Sequence, residues 1–212
     1  MKNFFIVLLG SFIGFFVEAS EPNNSASDRL LTLLKPLSTL SGDFTQKVTD
    51  ATGKVIQSSD GKFALSRPGL LRWETIQPFP QLLTINEETI WIYDPDLEQA
   101  TRRKVGDDVK NSPALLLTSD ASAMIDRYDI TEVVGTDGIQ VFSLQPKKTE
   151  MGITHFNLVF RESSPSRIEL KDSLGQQTLI ELAAMETNEK LPLEYFSFEP
   201  PEGTDVLSDG SN

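Results

Sequence analysis

Residues 66–94 read SRPGLLRWETIQPFPQLLTINEETIWIYD, and the two faces of the strands in this stretch decide the fold. Pro68-Gly69, Pro78-Phe79-Pro80 and Asn86-Glu87-Glu88 cut it into three extended pieces, LLRWETI, QLLTI and TIWIYD. Connections this short make antiparallel hairpins, because a parallel crossover needs roughly a dozen residues or more. A half-exposed strand is apolar on one face and polar on the other. These pieces are not. Ile90 and Ile92 project to one side while Trp91 and Tyr93 project to the other; Leu71 and Trp73 oppose Leu70 and Ile76; Leu83 and Ile85 oppose Leu82. A sheet apolar on both faces must be covered on both. Helices can cover one. The other must close on itself, meet a second sheet or hold an apolar ligand, and periodicity leaves all three open.

Strand-like periodicity extends outward from this core. DFTQKVTD and KVIQSSDGKFALS precede it, and EQATRRK follows the turn Asp94-Pro95-Asp96. Upstream, Ser27 is the expected N-cap of a helix with Asp28 in its first turn. Leu30, Leu33, Leu34 and Leu37 fall at helical spacing, with Leu31 and Leu40 widening the stripe, and Pro36 should kink or end the helix. Downstream, Ser112-Pro113 caps a helix through Ala114-Leu115-Leu116-Leu117, and Asp120 opens a second one through ASAMIDRY. Strands then resume at YDITEVV, IQVFSLQP, THFNLVF, RIELKD, QQTLIELAAM and EYFSFEP, before a tail that ends at Asn212.

The first residues stand apart from the fold. MKNFFIVLLGSFIGFFVEAS has one lysine, an apolar run from Phe4 to Val17, and the small-x-small site Val17-Glu18-Ala19. It is expected to be a cleaved secretory signal peptide over 1–19, which places the mature chain, 20–212, in the periplasm as a single domain. The chain has no cysteine, which excludes disulfides, thiol chemistry and an N-terminal lipidated cysteine. A net charge of −12 argues against nucleic acid and against anionic membrane surfaces as partners.

Catalytic chemistry has little to stand on. His155 is the one histidine, set in a strand, which removes Cys–His catalysis and histidine- and cysteine-rich zinc sites. Neither a G-x-S-x-G elbow nor a phosphate-binding glycine loop is present. Asp94, Asp96 and Glu98 are the densest acidic group, but their setting is that of a turn. No enzyme, metal or cofactor is expected.

Four separated strings make the pattern specific: DFTQKVTDATGKVIQSSDGKFALSRPGLLRWETIQPFPQLLTI, WIYDPDLEQATRR, SPALLL and FSFEPPEGTDV. From about Asp28 to Val206 the chain resembles the periplasmic outer-membrane lipoprotein carriers, the LolA family. The resemblance implies a mainly β, unclosed and strongly curved antiparallel half-barrel with a helical lid. It implies a carrier that shields lipoprotein acyl chains and moves them from an inner-membrane ABC transporter to the outer-membrane receptor LolB, working as a monomer. It also implies site residues. Arg67 would latch the lid by bonding carbonyls of the helix that starts at Ser112. Leu71 and Trp73 would line the cavity floor, with Ile85, Trp91 and Tyr93 as further acyl-chain contacts, and Leu115, Leu116 and Leu117 would form the apolar face of the lid. The chain departs from the family in having Leu71 where an aromatic is common, Asn86-Glu87-Glu88 in place of a glycine turn, and Pro36 in the first helix. Two other readings share parts of the pattern: a periplasmic lipid-binding or sensor domain with the same half-barrel, and an interaction module without a cavity.

Overall fold

The computed structural model describes residues 25–86, 88–105, 118, 121–147 and 152–208. The 1–19 segment, the stretch from Ser112 to Leu117 and Asp120 lie outside them. Helix α1 spans Ala26–Leu34. Its N-cap is Ser25, not Ser27: the Ser25 hydroxyl accepts the Asp28 N–H at 3.2 Å, and the Asp28 carboxylate accepts the Ser25 N–H at 3.2 Å. The sequence signature Ser-x-x-Asp thus begins two residues earlier than expected, and this reciprocal pair satisfies two N–H groups at the helix start. Pro36 ends α1 rather than kinking it, directly after the C-cap Lys35. Leu40 consequently belongs to the first strand and not to the helical stripe.

Among the described residues twelve strands follow: β1 (Thr39–Thr49), β2 (Val55–Ser66), β3 (Leu70–Gln77), β4 (Gln81–Ile85), β5 (Thr89–Asp94), β6 (Gln99–Lys104), β7 (Tyr128–Val134), β8 (Ile139–Pro146), β9 (Ile153–Arg161), β10 (Ser164–Asp172), β11 (Gln177–Thr187) and β12 (Asp205–Ser208). A short helix α2, Ala121–Arg127, leads into β7. All strands lie in one sheet in the order β12-β6-β5-β4-β3-β2-β1-β11-β10-β9-β8-β7. Two antiparallel meanders, β1–β6 and β7–β11, are joined where β1 pairs with β11. The sheet curls strongly, because Ile90 of β5 and Tyr128 of β7, from distant places in that order, share one hydrophobic cluster. It stays open: among the described residues β7 and β12 are its two ends.

The C-terminal part corrects two expectations. EYFSFEP is not a strand; Leu193–Phe196 forms a single 3-10 turn and the chain then runs extended. The tail contributes β12, which pairs parallel to β6, Val206 opposite Ala100, in a sheet otherwise antiparallel.

That same segment resolves the question of the second face. Phe196 is 1% exposed, and the Phe198 ring lies 5.6 Å from Trp91 and 5.1 Å from Tyr93. Tyr195 sits under the Arg72 guanidinium, 5.1 Å from the ring centroid. The convex face of β3–β5 is therefore covered by the chain's own C-terminal segment. Pleating puts Leu71, Trp73, Leu83, Ile85, Ile90 and Ile92 on the concave face, in or against the main cluster.

Candidate functional site

The concave face is built as a floor and a roof. Leu71 and Ile85 are buried on adjacent strands, directly opposite one another in the β3–β4 register. Trp73 stacks on Phe44 of β1 with ring centroids 4.0 Å apart and leans on Phe63 of β2 at 5.7 Å. Such pairs add about 0.5–1.5 kcal/mol each beyond the area they bury. The roof is α1, which presses Leu30 and Leu34 into the same cluster, each 1% exposed. At the α1 end of the sheet, burial raises the Tyr128 phenol above its ordinary value, with Arg127 pulling less strongly the other way. Tyr128 thus remains a neutral cluster member.

Two charged side chains fasten this roof. Arg67, in the turn between β2 and β3, donates from Nη1 to the carbonyl oxygen of Leu34 at 2.7 Å. That carbonyl belongs to the last turn of α1, where the partial negative charge of the helix gathers, so the guanidinium caps the helix as well as tying it down. The turn is anchored in place: the Arg67 N–H reaches the Ser38 carbonyl at 2.8 Å, and Gly69, at φ 76°, donates to Thr118 at 3.1 Å. Near the other end of α1, Arg29 pairs with Glu132 of β7, which also accepts from Gln140 Nε2 at 3.1 Å.

Glu132 was not singled out from the sequence, yet its register carried a signal. It occupies the same inward phase as Tyr128 and Ile130, and its side chain is 1% exposed. An acid in an apolar phase needs a partner, and Arg29 supplies one. Replacing Arg29 with methionine should destabilise the protein by about 1–3 kcal/mol, less than for a fully buried pair because Arg29 is half-exposed and screened. Hydrogen exchange should speed up in α1 before the strands; uniform protection along the chain would contradict the fastening role.

The expected acyl-chain residues separate into three groups. Leu71, Trp73 and Ile85 come together on the concave floor. Trp91 and Tyr93 do not: they stand on the convex face against Phe198, because β5 carries apolar residues in both phases. Leu115, Leu116 and Leu117 lie outside the described residues, as does the helix expected at Ser112. Within the described residues, Arg67 bonds to the Leu34 carbonyl of α1. The departure at Asn86 has a local answer, since its side-chain oxygen accepts the Thr89 N–H at 3.0 Å and closes the turn without glycine. Among the described residues no cluster of acids and histidines could hold a metal ion.

Comparison with known proteins adds to this geometry. A family model described as outer membrane lipoprotein carrier protein LolA matches residues 35–199. A protein of Azotobacter vinelandii, named outer-membrane lipoprotein carrier protein, is 37% identical over 205 residues, covering 97% of this chain and 99% of its own. One of the same name from Dechloromonas aromatica is 38% identical over 184 residues, with 87% and 88% covered. Among solved structures, an uncharacterized conserved protein from Thermus thermophilus matches with a TM-score of 0.55 at 14% identity, covering 87% of this chain and 99% of that one. A LolA superfamily protein from Nitrosomonas europaea matches with a TM-score of 0.50 at 11% identity, with 81% and 97% covered. At such identities these two likenesses concern the fold.

Proposed function

Because the chain belongs to the family of the outer membrane lipoprotein carrier protein LolA, we propose that it ferries lipoproteins through the periplasm with their acyl chains on the concave face, between the floor of Leu71, Trp73 and Ile85 and the roof formed by α1. Members of this family are carriers and not enzymes. The cleaved leader, the inner-membrane ABC transporter as donor and the receptor LolB as acceptor are parts of the same proposal.

Energetics favour this arrangement. Burying one methylene is worth about 0.8 kcal/mol, so a single long acyl chain costs on the order of 10 kcal/mol to expose to water. Diffusion between membranes therefore needs a shield. A charge-assisted hydrogen bond such as Arg67 to Leu34 contributes about 1.5–3 kcal/mol. The roof is thus tied firmly enough to cover an empty floor and weakly enough for acyl chains to lift it. One observation carries the reading: a broad apolar floor covered by a short amphipathic helix that two side-chain fasteners hold.

The test is a weighing. The chain produced together with a lipoprotein, purified without detergent and examined by native mass spectrometry, should give a one-to-one complex. The same cargo with its acylated cysteine changed to serine should give none. Bare carrier in both preparations would refute the proposal.

A further inference from the structure

The concave face changes its chemistry along the strands. Four strands, β2 to β5, pass from an apolar residue under α1 to a polar one nearer the tips of the β1–β2, β3–β4 and β5–β6 hairpins. On β3 the inward phase runs from Trp73 to Thr75, on β4 from Leu83 to Gln81, on β5 from Ile92 to Asp94, and on β2 from Phe63 through Gly61 and Ser59 to Gln57. The change occurs within two residues on three neighbouring strands, a distance of about 7 Å.

A cavity of about 520 Å³ lies at this boundary, with Thr75, Gln81, Asp94, Ser59 and Gln57 in its lining. Ile56, Pro78 and Phe79 form its apolar wall. That wall is unusual in its exposure. Phe79 is 74% and Ile56 53% exposed. Ile56 is the extra residue of the register shift between β1 and β2, where Val48 faces Gln57 and Thr49 faces Val55. Bulges of this kind turn a side chain away from the regular pleat. The wall therefore presents apolar surface that the fold itself leaves uncovered, beside side chains whose amides and hydroxyls both donate and accept hydrogen bonds.

We propose that this cavity receives the polar stem of an acylated protein: the ester and amide groups that join the acyl chains to the N-terminal residue, and the first few peptide units beyond it. The inference rests on the carrier reading and adds to it the side on which the cargo leaves. A molecule that is all hydrocarbon at one end and peptide at the other needs an apolar floor that gives way to groups able to pair with esters and amides. Gln57, Ser58, Ser59, Thr75 and Gln81 are such groups, and the volume is in the range of small-molecule pockets, roughly 300–1,000 Å³. Ile56, Pro78 and Phe79 brace the stem. The opposite end of the floor, where Arg67 meets α1, is occupied by that contact.

The chain contains no cysteine, so one introduced thiol is unique. Gln57→Cys, Gln81→Cys and, at the Arg67 end, Lys35→Cys would each be mixed with a synthetic triacylated pentapeptide whose third residue is a cysteine activated as a mixed disulfide. The expected result is cross-linking at positions 57 and 81 at least tenfold above position 35, and little with the same peptide lacking acyl chains. Cross-linking mainly at 35, equal yields at all three, equal yields without acyl chains, or no cross-link although native mass spectrometry shows the peptide bound, would each overturn the inference while leaving the carrier reading in place. If the unmodified chain retains no lipopeptide at all, both fall.

Discussion

A carrier with Arg67 replaced by leucine should take up a lipoprotein normally and pass it on roughly tenfold to a hundredfold more slowly than the native protein. The size of the effect follows from the charge-assisted bond to the Leu34 carbonyl, worth about 1.5–3 kcal/mol. On the proposed carrier reading, that bond would help return α1 to the floor of the empty protein and so compete with the acyl chains for the apolar surface. Without it the loaded state loses its competitor, and release slows. The rest of the fold should persist, because the strands around the turn do not depend on this side chain for their ladder. Arg67→Lys keeps a charged donor without the planar fork and should recover part of the rate. The readout is transfer from loaded carrier to acceptor in a reconstituted assay, with circular dichroism confirming the fold. An unchanged rate in Arg67→Leu would remove the latch from the account.

The second large effect concerns the frame. Gly61→Ala should destabilise the protein by on the order of 4 kcal/mol, enough to unfold a domain of ordinary stability or leave it barely folded. A Cβ at position 61 would stand 1.9 Å from the Glu74 carbonyl oxygen and 2.9 Å from the Phe44 ring. The first obstacle is backbone and cannot rotate aside. Gly61 sits where the β2–β3 register shifts, Asp60 facing Gln77 and Gly61 facing Thr75, so the close approach is part of how the sheet bends. Urea unfolding should show the loss as a lower midpoint. A variant as stable as the native protein would mean that β3 can move away at little cost.

Which parts of this were legible beforehand has a physical pattern. The strand spans from β2 to β6 follow from proline, glycine and aspartate punctuation, because turn residues act locally, whereas β1 starts at Thr39, ahead of the expected DFTQKVTD. The facing of those strands did not follow. With Trp91 and Tyr93 in one phase of β5 and Ile90 and Ile92 in the other, period two gives no preference, and only the position of Phe198 decides. EYFSFEP misled for a related reason: an extended segment laid on a sheet face alternates like a strand although it joins no ladder there. Four-residue β12 was too short to register as a pattern. Ser25 and Ser27 are both sound caps by residue type, and the reciprocal bond with Asp28 selects Ser25. The roof fasteners divide likewise. Arg67 stood out through its resemblance to a known motif, whereas Glu132 required noticing one acid in an apolar phase.

The central claim, that acyl chains lie on the concave face beneath α1, has a direct optical test. The chain has two tryptophans, and the structure puts them on opposite faces: Trp73 on the floor against Phe44, Trp91 outside against Phe198. Trp91→Phe and Trp73→Phe would each leave one emitter. Loaded with a lipopeptide whose acyl chains carry bromine, which quenches indole at contact, the variant retaining Trp73 should lose most of its fluorescence and the variant retaining Trp91 should keep nearly all of it. Quenching of Trp91 with Trp73 unaffected, or equal quenching of both, would contradict the account.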